Sequence, residues 1–187
     1  MTLEKRMYFF VPYNISPIQQ AIQAGHAALE YARKFKDDED YIDFVDNWKT
    51  WIILNGGTTN DDFLIDPETK GRSFTGSLNQ IEYDLVKTGI NCSCFHEPDL
   101  QDALTAVCFI ADERVFNFKD YPDFPEWITQ QDFINEDEKL NSYIDLKTKK
   151  EEDYKKLFPG MYPQWVREMG GEKNLFLREL TRNAKLA

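Results

Sequence analysis

The sequence predicts an α/β fold whose sheet has four strands, the last of them antiparallel. Apolar runs of strand length alternate along the chain with segments of helical periodicity. The four runs span residues 7–13, 51–54, 90–96 and 104–111. Ser16 and Pro17 follow the first run, and this pair is a strong signal for a helix that begins at Pro17. Because the loop before the fourth run is short, that strand is expected to return antiparallel beside the third.

The first helix is predicted over residues 17–36 and carries two stripes of different chemistry. One stripe is apolar or small and is expected to lie on the sheet: Ile18, Ile22, Gly25 and Leu29. The other is polar, with members three or four residues apart: Gln19, Gln23, His26 and Glu30. In α/β proteins ligands bind where a strand ends and the next helix begins, so the polar stripe is a candidate site. The alternative is a solvated face with one hydrogen-bonded histidine.

The middle of the chain is predicted to complete the core. A second helical segment has four inward-facing positions, at Tyr41, Phe44, Val45 and Trp48. Residues 51–54 are expected to form a central strand, and residues 58–76 a long loop of a kind that is often functional or mobile. A helix is predicted over residues 77–88, with Gly89 as its C-cap. Its apolar positions are Leu78, Ile81, Leu85 and Val86.

A glycine-rich stretch directly follows the second strand and is a candidate ligand-binding loop. Its residues are Gly56, Gly57, Thr58, Thr59 and Asn60. Backbone N–H groups in such a stretch can point at an anion. The stretch is not a P-loop, because the Gly-Lys-Ser/Thr ending is absent. The alternative is a plain turn into a surface loop.

The third strand carries the one cluster of soft ligands in the sequence. Cys92, Cys94 and His96 alternate along it, so they are expected to share a face. A structural zinc site requires four ligands, and this strand offers three. Simple packing is therefore the favoured interpretation, and neither a metal nor a cofactor is predicted. The loop that follows is the densest acidic loop near the core, with Glu97 and Asp99 as candidate catalytic carboxylates.

Beyond the fourth strand the pattern becomes helical and highly charged. We predict an α/β domain over residues 1–118 and a C-terminal helical extension, packed on the core, over residues 119–187. Helical stretches are expected at 136–157, from Tyr162 to Met169, and at 172–186. In the last of these, Arg178, Arg182 and Lys185 form a basic stripe, for which a solvated face is the favoured interpretation.

Composition and charge limit the classes of partner. The chain has 187 residues, of which 42% are hydrophobic and 14% aromatic, as expected of a globular protein. No apolar run approaches membrane-spanning length and no signal peptide is evident. Three cysteines cannot pair completely, so a reducing, cytoplasmic setting is expected. The net charge of −11 argues against a nucleic-acid substrate, because a polyanion is repelled by an acidic surface.

The segment Gln23-Ala24-Gly25-His26-Ala27-Ala28-Leu29 resembles the Gln-x-x-His-Ala-x-Leu segment of the type II peptidyl-tRNA hydrolase family. The resemblance covers residues 6 to about 115 and implies a three-layer α/β/α fold with a four-stranded mixed sheet. It also implies hydrolysis of the ester that links a peptide to tRNA. The family's lysine, four residues before the glutamine, falls on Gln19. Its aspartate falls near Glu97 or Asp99, in a loop that lacks the family's glycine and threonine.

Two functional hypotheses follow. The first is a divergent peptidyl-tRNA or aminoacyl-tRNA hydrolase that cleaves an ester at a strand-end cleft, with Gln19, His26, Glu97 and Asp99 around the water. The second is a non-catalytic module of the same fold, viral or accessory in role. It would capture a small nucleotide-like ligand or a protein through Gln23 and residues 56–60. No membrane partner is expected, and the C-terminal helices either cover the cleft or mediate a homodimer.

Overall fold

The computed structural model describes residues 2–131, 146 and 148–187. These residues form two compact units. The first unit comprises residues 1–112 and 180–187, and the second comprises residues 113–179. No helix in the described part of the chain is both long and apolar enough to cross a membrane.

A four-stranded mixed sheet is the centre of the first unit, as the sequence predicts. Its strands are β1 (Lys5–Pro12), β2 (Thr50–Gly57), β5 (Cys92–Glu97) and β6 (Ala103–Asp112), in the order β2-β1-β6-β5. β1 and β2 are parallel, whereas β6 is antiparallel to both β1 and β5. Helices lie on both sides of this sheet, which confirms the α/β class with an antiparallel last strand.

The second apolar run forms an edge strand, so its prediction as a central strand is wrong. β2 pairs with β1 on one side only within the sheet. On its other side it meets the end of the chain, where Asn55 N donates to Lys185 O at 2.8 Å and Ala187 N donates to Ile53 O at 3.1 Å. These few bonds satisfy part of an edge that would otherwise be open to another strand.

Three helical segments precede the second half of the sheet. α1 (Pro17–Phe35) and α3 (Ser77–Thr88) agree closely with the predicted helices, and Gly89 ends α3 in the left-handed region at φ 72°. α2 (Glu39–Asp43) continues as a π-helical segment, Phe44–Trp48, in which Phe44 is buried and Val45 is exposed. Val86 of α3 is also exposed, contrary to its predicted inward position.

The predicted loop at 58–76 contains a small hairpin. β3 (Phe63–Ile65) pairs antiparallel with β4 (Arg72–Phe74), and the two strands form a separate sheet. The rings of Phe63 and Phe74 contact each other across the pair at a tilt of 53°, and Phe74 also contacts Tyr83 of α3. This aromatic chain fixes the hairpin to the helix that follows it.

The apolar stripe predicted for α1 does not lie on the sheet, so this prediction is wrong. The buried side chains of the helix are Gln20, Gln23, Ala24, Ala27 and Tyr31. Ile18, Ile22 and Leu29, expected on the sheet, are instead 72%, 50% and 69% exposed. The small alanines allow α1 to lie close to β5 and β6, and the two glutamines that point the same way are satisfied by hydrogen bonds.

The second unit is a helical assembly around an aromatic core. Its helices are α4 (Glu113–Phe116), α5 (Phe124–Thr129), α6 (Glu151–Leu157), α7 (Met161–Glu168) and most of α8 (Glu172–Arg182). The core residues are Phe124, Trp127, Ile128, Leu146, Tyr162, Trp165, Val166 and Met169. Of the helical stretch predicted at 136–157, residues 136–145 and 147 lie outside the described residues, and the described part includes α6.

Arg178 in α8 is buried, so its assignment to a solvated basic stripe is wrong. Its side chain is 2% exposed. The guanidinium donates to the carbonyl of Arg114, to Tyr121 O at 2.9 Å and to Asp123 Oδ1 at 2.8 Å. An arginine has five N–H donors in a rigid fork, which is why one side chain can tie together the ends of several segments within this unit.

Candidate functional site

The candidate residues lie at one end of the sheet, where three of its strands end and the fourth begins. The parallel strands β1 and β2 both end there, at Pro12 and Gly57. Because β6 and β5 are antiparallel partners, β5 ends and β6 begins at this same edge, where Glu97 pairs with Ala103. The N-terminal half of α1 lies beside it, since Gln23 of that helix contacts Glu97. We call this region the strand-end edge.

Two irregularities in strand pairing shape the strand-end edge. In β6 the register passes from Ala106 to Leu104, so Thr105 is the extra residue of a bulge opposite β5. In β2 the pairing with β1 skips Gly56, which is buried. A Cβ atom added at Gly56 would lie only 2.7 Å from Leu78 Cδ1, so no larger residue fits there without a shift. Bulges re-aim side chains and are frequent beside functional sites.

The central feature of the edge is a chain of three polar side chains. Thr105 Oγ1 donates to Gln23 Oε1 at 2.7 Å, and Gln23 Nε2 donates to Glu97 Oε2 at 2.7 Å. Thr105 is 1% exposed and Gln23 is 7% exposed. An ionised carboxylate can only accept, so the amide presents its NH2 group to Glu97 and its oxygen to the hydroxyl. The chain therefore fixes the orientation of the glutamine.

Thr105 is a site residue that the sequence prediction missed. It is the one polar side chain in the apolar run 104–111, and a buried hydroxyl in such a run requires a partner. Gln20 was missed as well: its Nε2 donates to Pro12 O at 3.0 Å, which joins the start of α1 to the end of β1. A polar residue within an otherwise apolar or buried pattern was the available signal in both cases.

The other predicted catalytic residues are His26, Asp99 and Gln19, and all three side chains are exposed. His26 lies one turn after Gln23, is exposed, and stacks on Phe95 with ring centroids 4.5 Å apart. Asp99 is exposed in the 3₁₀ turn that follows Glu97. Gln19 is also exposed, and its Oε1 accepts from both N and Oγ of Ser16. It therefore serves as a capping box for α1.

Most backbone N–H groups of the glycine-rich stretch already have partners inside the protein. Gly57 N donates to Asn55 Oδ1 at 2.8 Å, and Thr58 N donates to Ser77 Oγ at 2.9 Å. Asn60 N and Thr59 Oγ1 both donate to Asn79 Oδ1, at 2.8 and 3.2 Å. A ligand at this stretch would thus have to displace these bonds or use exposed side chains.

The cysteine and histidine residues of β5 are not gathered as metal ligands. Cys94 Sγ lies 4.0 Å from His96 Nδ1, and Cys92 is buried. Burial, together with the Glu82 carboxylate, raises the pKa of the Cys94 thiol to about 12, which opposes formation of the thiolate that metals bind. Within the described residues no three such side chains are placed to hold a metal ion.

The electrostatics of the strand-end edge are acidic. Four segments form it or adjoin it, namely residues 12–20, 57–62, 75–80 and 96–105. They carry five carboxylates, from Asp61, Asp62, Glu97, Asp99 and Asp102. Lysine and arginine do not occur in these segments. The field at this edge therefore favours a neutral or cationic group over a phosphate.

No family model matches the chain, and no curated protein matches it either. The likeness of residues 23–29 to a peptidyl-tRNA hydrolase segment thus stays a hypothesis. The geometry that bears on function is the hydrogen-bonded series Thr105–Gln23–Glu97 and the acidic segments around it.

Proposed function

We propose that the protein is an esterase, related in type to peptidyl-tRNA hydrolases, that cleaves an aminoacyl or peptidyl ester at the strand-end edge. The observation that supports this proposal is the hydrogen-bonded series in which the buried side chains of Thr105 and Gln23 hold the half-buried Glu97. Two buried polar side chains are expensive to maintain, and here both serve to hold one carboxylate. Such a fixed carboxylate at a strand end is suited to general-base catalysis.

In the proposed reaction Glu97 acts as the general base. Its Oε2 is held by Gln23, and a carboxylate has a second oxygen that can accept a proton from water. The water attacks the ester carbonyl, the proton passes to Glu97, and the alcohol leaves with a proton returned to it. The start of α1 is the positive pole of a helix of 19 residues, which favours the developing oxyanion. The reducing setting inferred from three free cysteines is consistent with action in the cytosol.

The acidic edge bears on the substrate. An aminoacyl ester carries a cationic amine or a neutral blocked amine, and either suits this field. A whole tRNA brings many phosphates to the same surface, and five nearby carboxylates oppose them. The proposal therefore predicts that a minimal ester, such as N-acetyl-aminoacyl-adenosine, is cleaved with less dependence on salt than N-acetyl-aminoacyl-tRNA.

A non-catalytic binding module is the second candidate. It is favoured by Gln19, which stands where the resembled family has a lysine and which is used to cap α1. The segments at the edge offer no other cation in its place. An esterase without a cation has a weaker means of stabilising the oxyanion.

Hydrolysis of the minimal ester and of N-acetyl-aminoacyl-tRNA by the wild type, Glu97→Gln and Asp102→Asn separates these candidates. Asp102→Asn is the matched control, because it removes an exposed carboxylate of the same loop that has no assigned catalytic role. The esterase proposal expects loss of at least about a hundredfold in Glu97→Gln and a change of less than about threefold in Asp102→Asn. Equal activity in all three, or no turnover by folded wild type, would reject it in favour of binding.

The variant Gln19→Lys tests whether the absence of a cation near the start of α1 limits hydrolysis. A lysine here restores a cation beside the start of α1 but removes one half of the capping box. A rise in hydrolysis identifies the absent cation as the limiting feature. Thermal unfolding of the same variant reports the cost of the lost cap separately.

A further inference from the structure

The outward face of α1 is apolar although nothing in the described part of the chain covers it. Ile18, Ile22 and Leu29 are 72%, 50% and 69% exposed. Gly25 lies between them on the same face, and a Cβ built there would meet no atom within 4 Å. These four positions are spaced by four, three and four residues, which is the spacing of a seam that packs against another helix. We call them the α1 seam.

The α1 seam is complementary to itself. If a second helix of the same sequence runs antiparallel about a two-fold axis, position i faces position 47 − i. Ile18 then faces Leu29 of the other copy, and Ile22 faces Gly25 of the other copy. The large side chain of Ile22 in each copy therefore packs against Gly25 of the other copy, which has no side chain. This is the knobs-into-holes arrangement of closely packed helices. A two-fold interface requires this property, since the same patch is used by both chains.

We propose that the α1 seam binds a second copy of this chain in a symmetric, antiparallel helix pair. Charge supports this occupant in two ways. From Pro17 to Leu29 the helix has no aspartate, glutamate, lysine or arginine, so pairing buries none of these charged side chains along the seam. Beyond it, the side chains of Arg33 and Lys36 are 79% and 74% exposed.

The two-fold relation places these cations near the strand-end edge of the other copy. Arg33 faces position 14 across the axis, just before α1 begins. The adjoining segments carry carboxylates and lack lysine and arginine. Arg33 also pairs with Glu30 at 2.6 Å, and Lys36 lies 3.8 Å from Asp37, so the attraction between copies is reduced but not removed. In this arrangement each copy supplies the positive charge that the other copy's proposed site lacks.

The size of the seam sets the expected strength. Each copy offers only a few large apolar side chains to the seam. The area that they can bury is smaller than that of a standard interface, which buries about 800 Å² per partner. The dimer is therefore expected to be weak, concentration-dependent and easily broken by one charge.

The first test is the molar mass in solution by sedimentation equilibrium from about 1 to about 300 µM, a range that brackets a weak dimer. Wild type is expected to shift from monomer to dimer across it. Ile22→Glu is expected to raise the dissociation constant at least about tenfold, because it places a charge in the seam. Val86→Glu is the matched control, since Val86 is 61% exposed on α3, and it should leave the constant unchanged. Both variants change exposed positions, and thermal unfolding verifies their folding.

Engineered cysteines test the direction of the helices. A mixture of Ile18→Cys and Leu29→Cys chains should form a disulfide between unlike chains, while neither chain alone should do so. The wild type, whose own three cysteines are free, is the control for unspecific links. A monomer at every concentration, a dimer indifferent to Ile22→Glu, or self-linking of Ile18→Cys would overturn the proposal. None of these outcomes depends on hydrolysis, so the dimer and the esterase are judged separately.

Discussion

Replacing Thr105 with valine is the most informative single change at the strand-end edge. Valine has nearly the same shape and is equally at home in a strand, so the core around β6 is expected to stay packed. What is removed is one proton donor. The hydroxyl lies 2.7 Å from Gln23 Oε1 and 3.3 Å from Phe95 O, and it has one proton to give. The shorter contact identifies Gln23 as its partner.

The expected loss in the free energy of unfolding follows from the Gln23 amide oxygen, which loses its donor in Thr105→Val. Gln23 is 7% exposed, so its amide oxygen cannot turn to bulk water when the hydroxyl is lost. A buried acceptor without a donor costs about 1–3 kcal/mol. With a urea slope of about 2 kcal/mol per molar, a loss of about 2 kcal/mol lowers the unfolding midpoint by about 1 M. The freed amide can also rotate away from Glu97, so the proposed hydrolysis should fall together with stability.

The assay is urea unfolding of the wild type, Thr105→Val, Gln23→Leu and the double variant. If the hydroxyl and the amide form one unit, the double variant costs less than the sum of the single ones, with a coupling of about 1–2 kcal/mol. Thr105→Ser is the control, because it keeps the donor and loses a buried methyl group worth about 1 kcal/mol. Additivity within about 0.4 kcal/mol would show that the two side chains do not depend on each other.

Three further predictions concern other parts of the chain. Arg178→Met should destabilise the second unit by about 2–4 kcal/mol in urea, because it removes the buried guanidinium that donates to the partly exposed carboxylate of Asp123 and to two backbone carbonyls; an unchanged midpoint would contradict this role. Asp43 is hydrogen-bonded to Lys5, which holds its pKa below the usual value, so its contribution is present above about pH 4 and is lost as the pH falls through the lowered pKa. Asp43→Asn should therefore be less stable than wild type at pH 7, and this difference in stability should shrink as the pH falls through the lowered pKa of Asp43; a difference that stays constant would argue against the ion pair. The raised pKa of Cys94 implies about a thousandfold less thiolate at pH 8 than in an ordinary thiol, so labelling by iodoacetamide should be slow and should quicken in a Glu82→Gln variant.

Patterns within single elements predicted most of the fold. The Ser16-Pro17 signal located the start of α1, and Gly89 located the end of α3. The four apolar runs became the four strands of the main sheet, and the short connection before β6 gave its direction. Strand order was not predictable in the same way, since nothing local in the β2 run distinguishes an edge position from a central one. The chain end that lies along β2 comes from about 130 residues later in the sequence.

The candidate site depended on features that periodicity does not encode. Gln23 was selected from the polar stripe, but its hydrogen-bond partner Thr105 reaches it through a bulge, and a bulge leaves no regular signature in an alternating pattern. Gln19 was selected on the same grounds, and in the structure its side chain caps the helix. A polar side chain near a helix start has two common uses, and only the positions of neighbouring atoms distinguish them.

The outward position of the α1 seam has a physical cause that also supports the proposed dimer. Hydrophobic periodicity assigns the larger apolar side chains to the core, yet a helix that must lie close to β5 and β6 gains more from alanines and from glutamines with buried partners. The isoleucines and Leu29 are then left in water, where each exposed side chain of this size is unfavourable by about 1.5–3 kcal/mol relative to burial. Three such side chains at seam spacing on one well-capped helix are more than the scattered apolar residues of an ordinary surface. A stripe that the described residues leave exposed is explained by a partner that buries it, and a second α1 matches it at all four positions, Ile18 against Leu29 and Ile22 against Gly25.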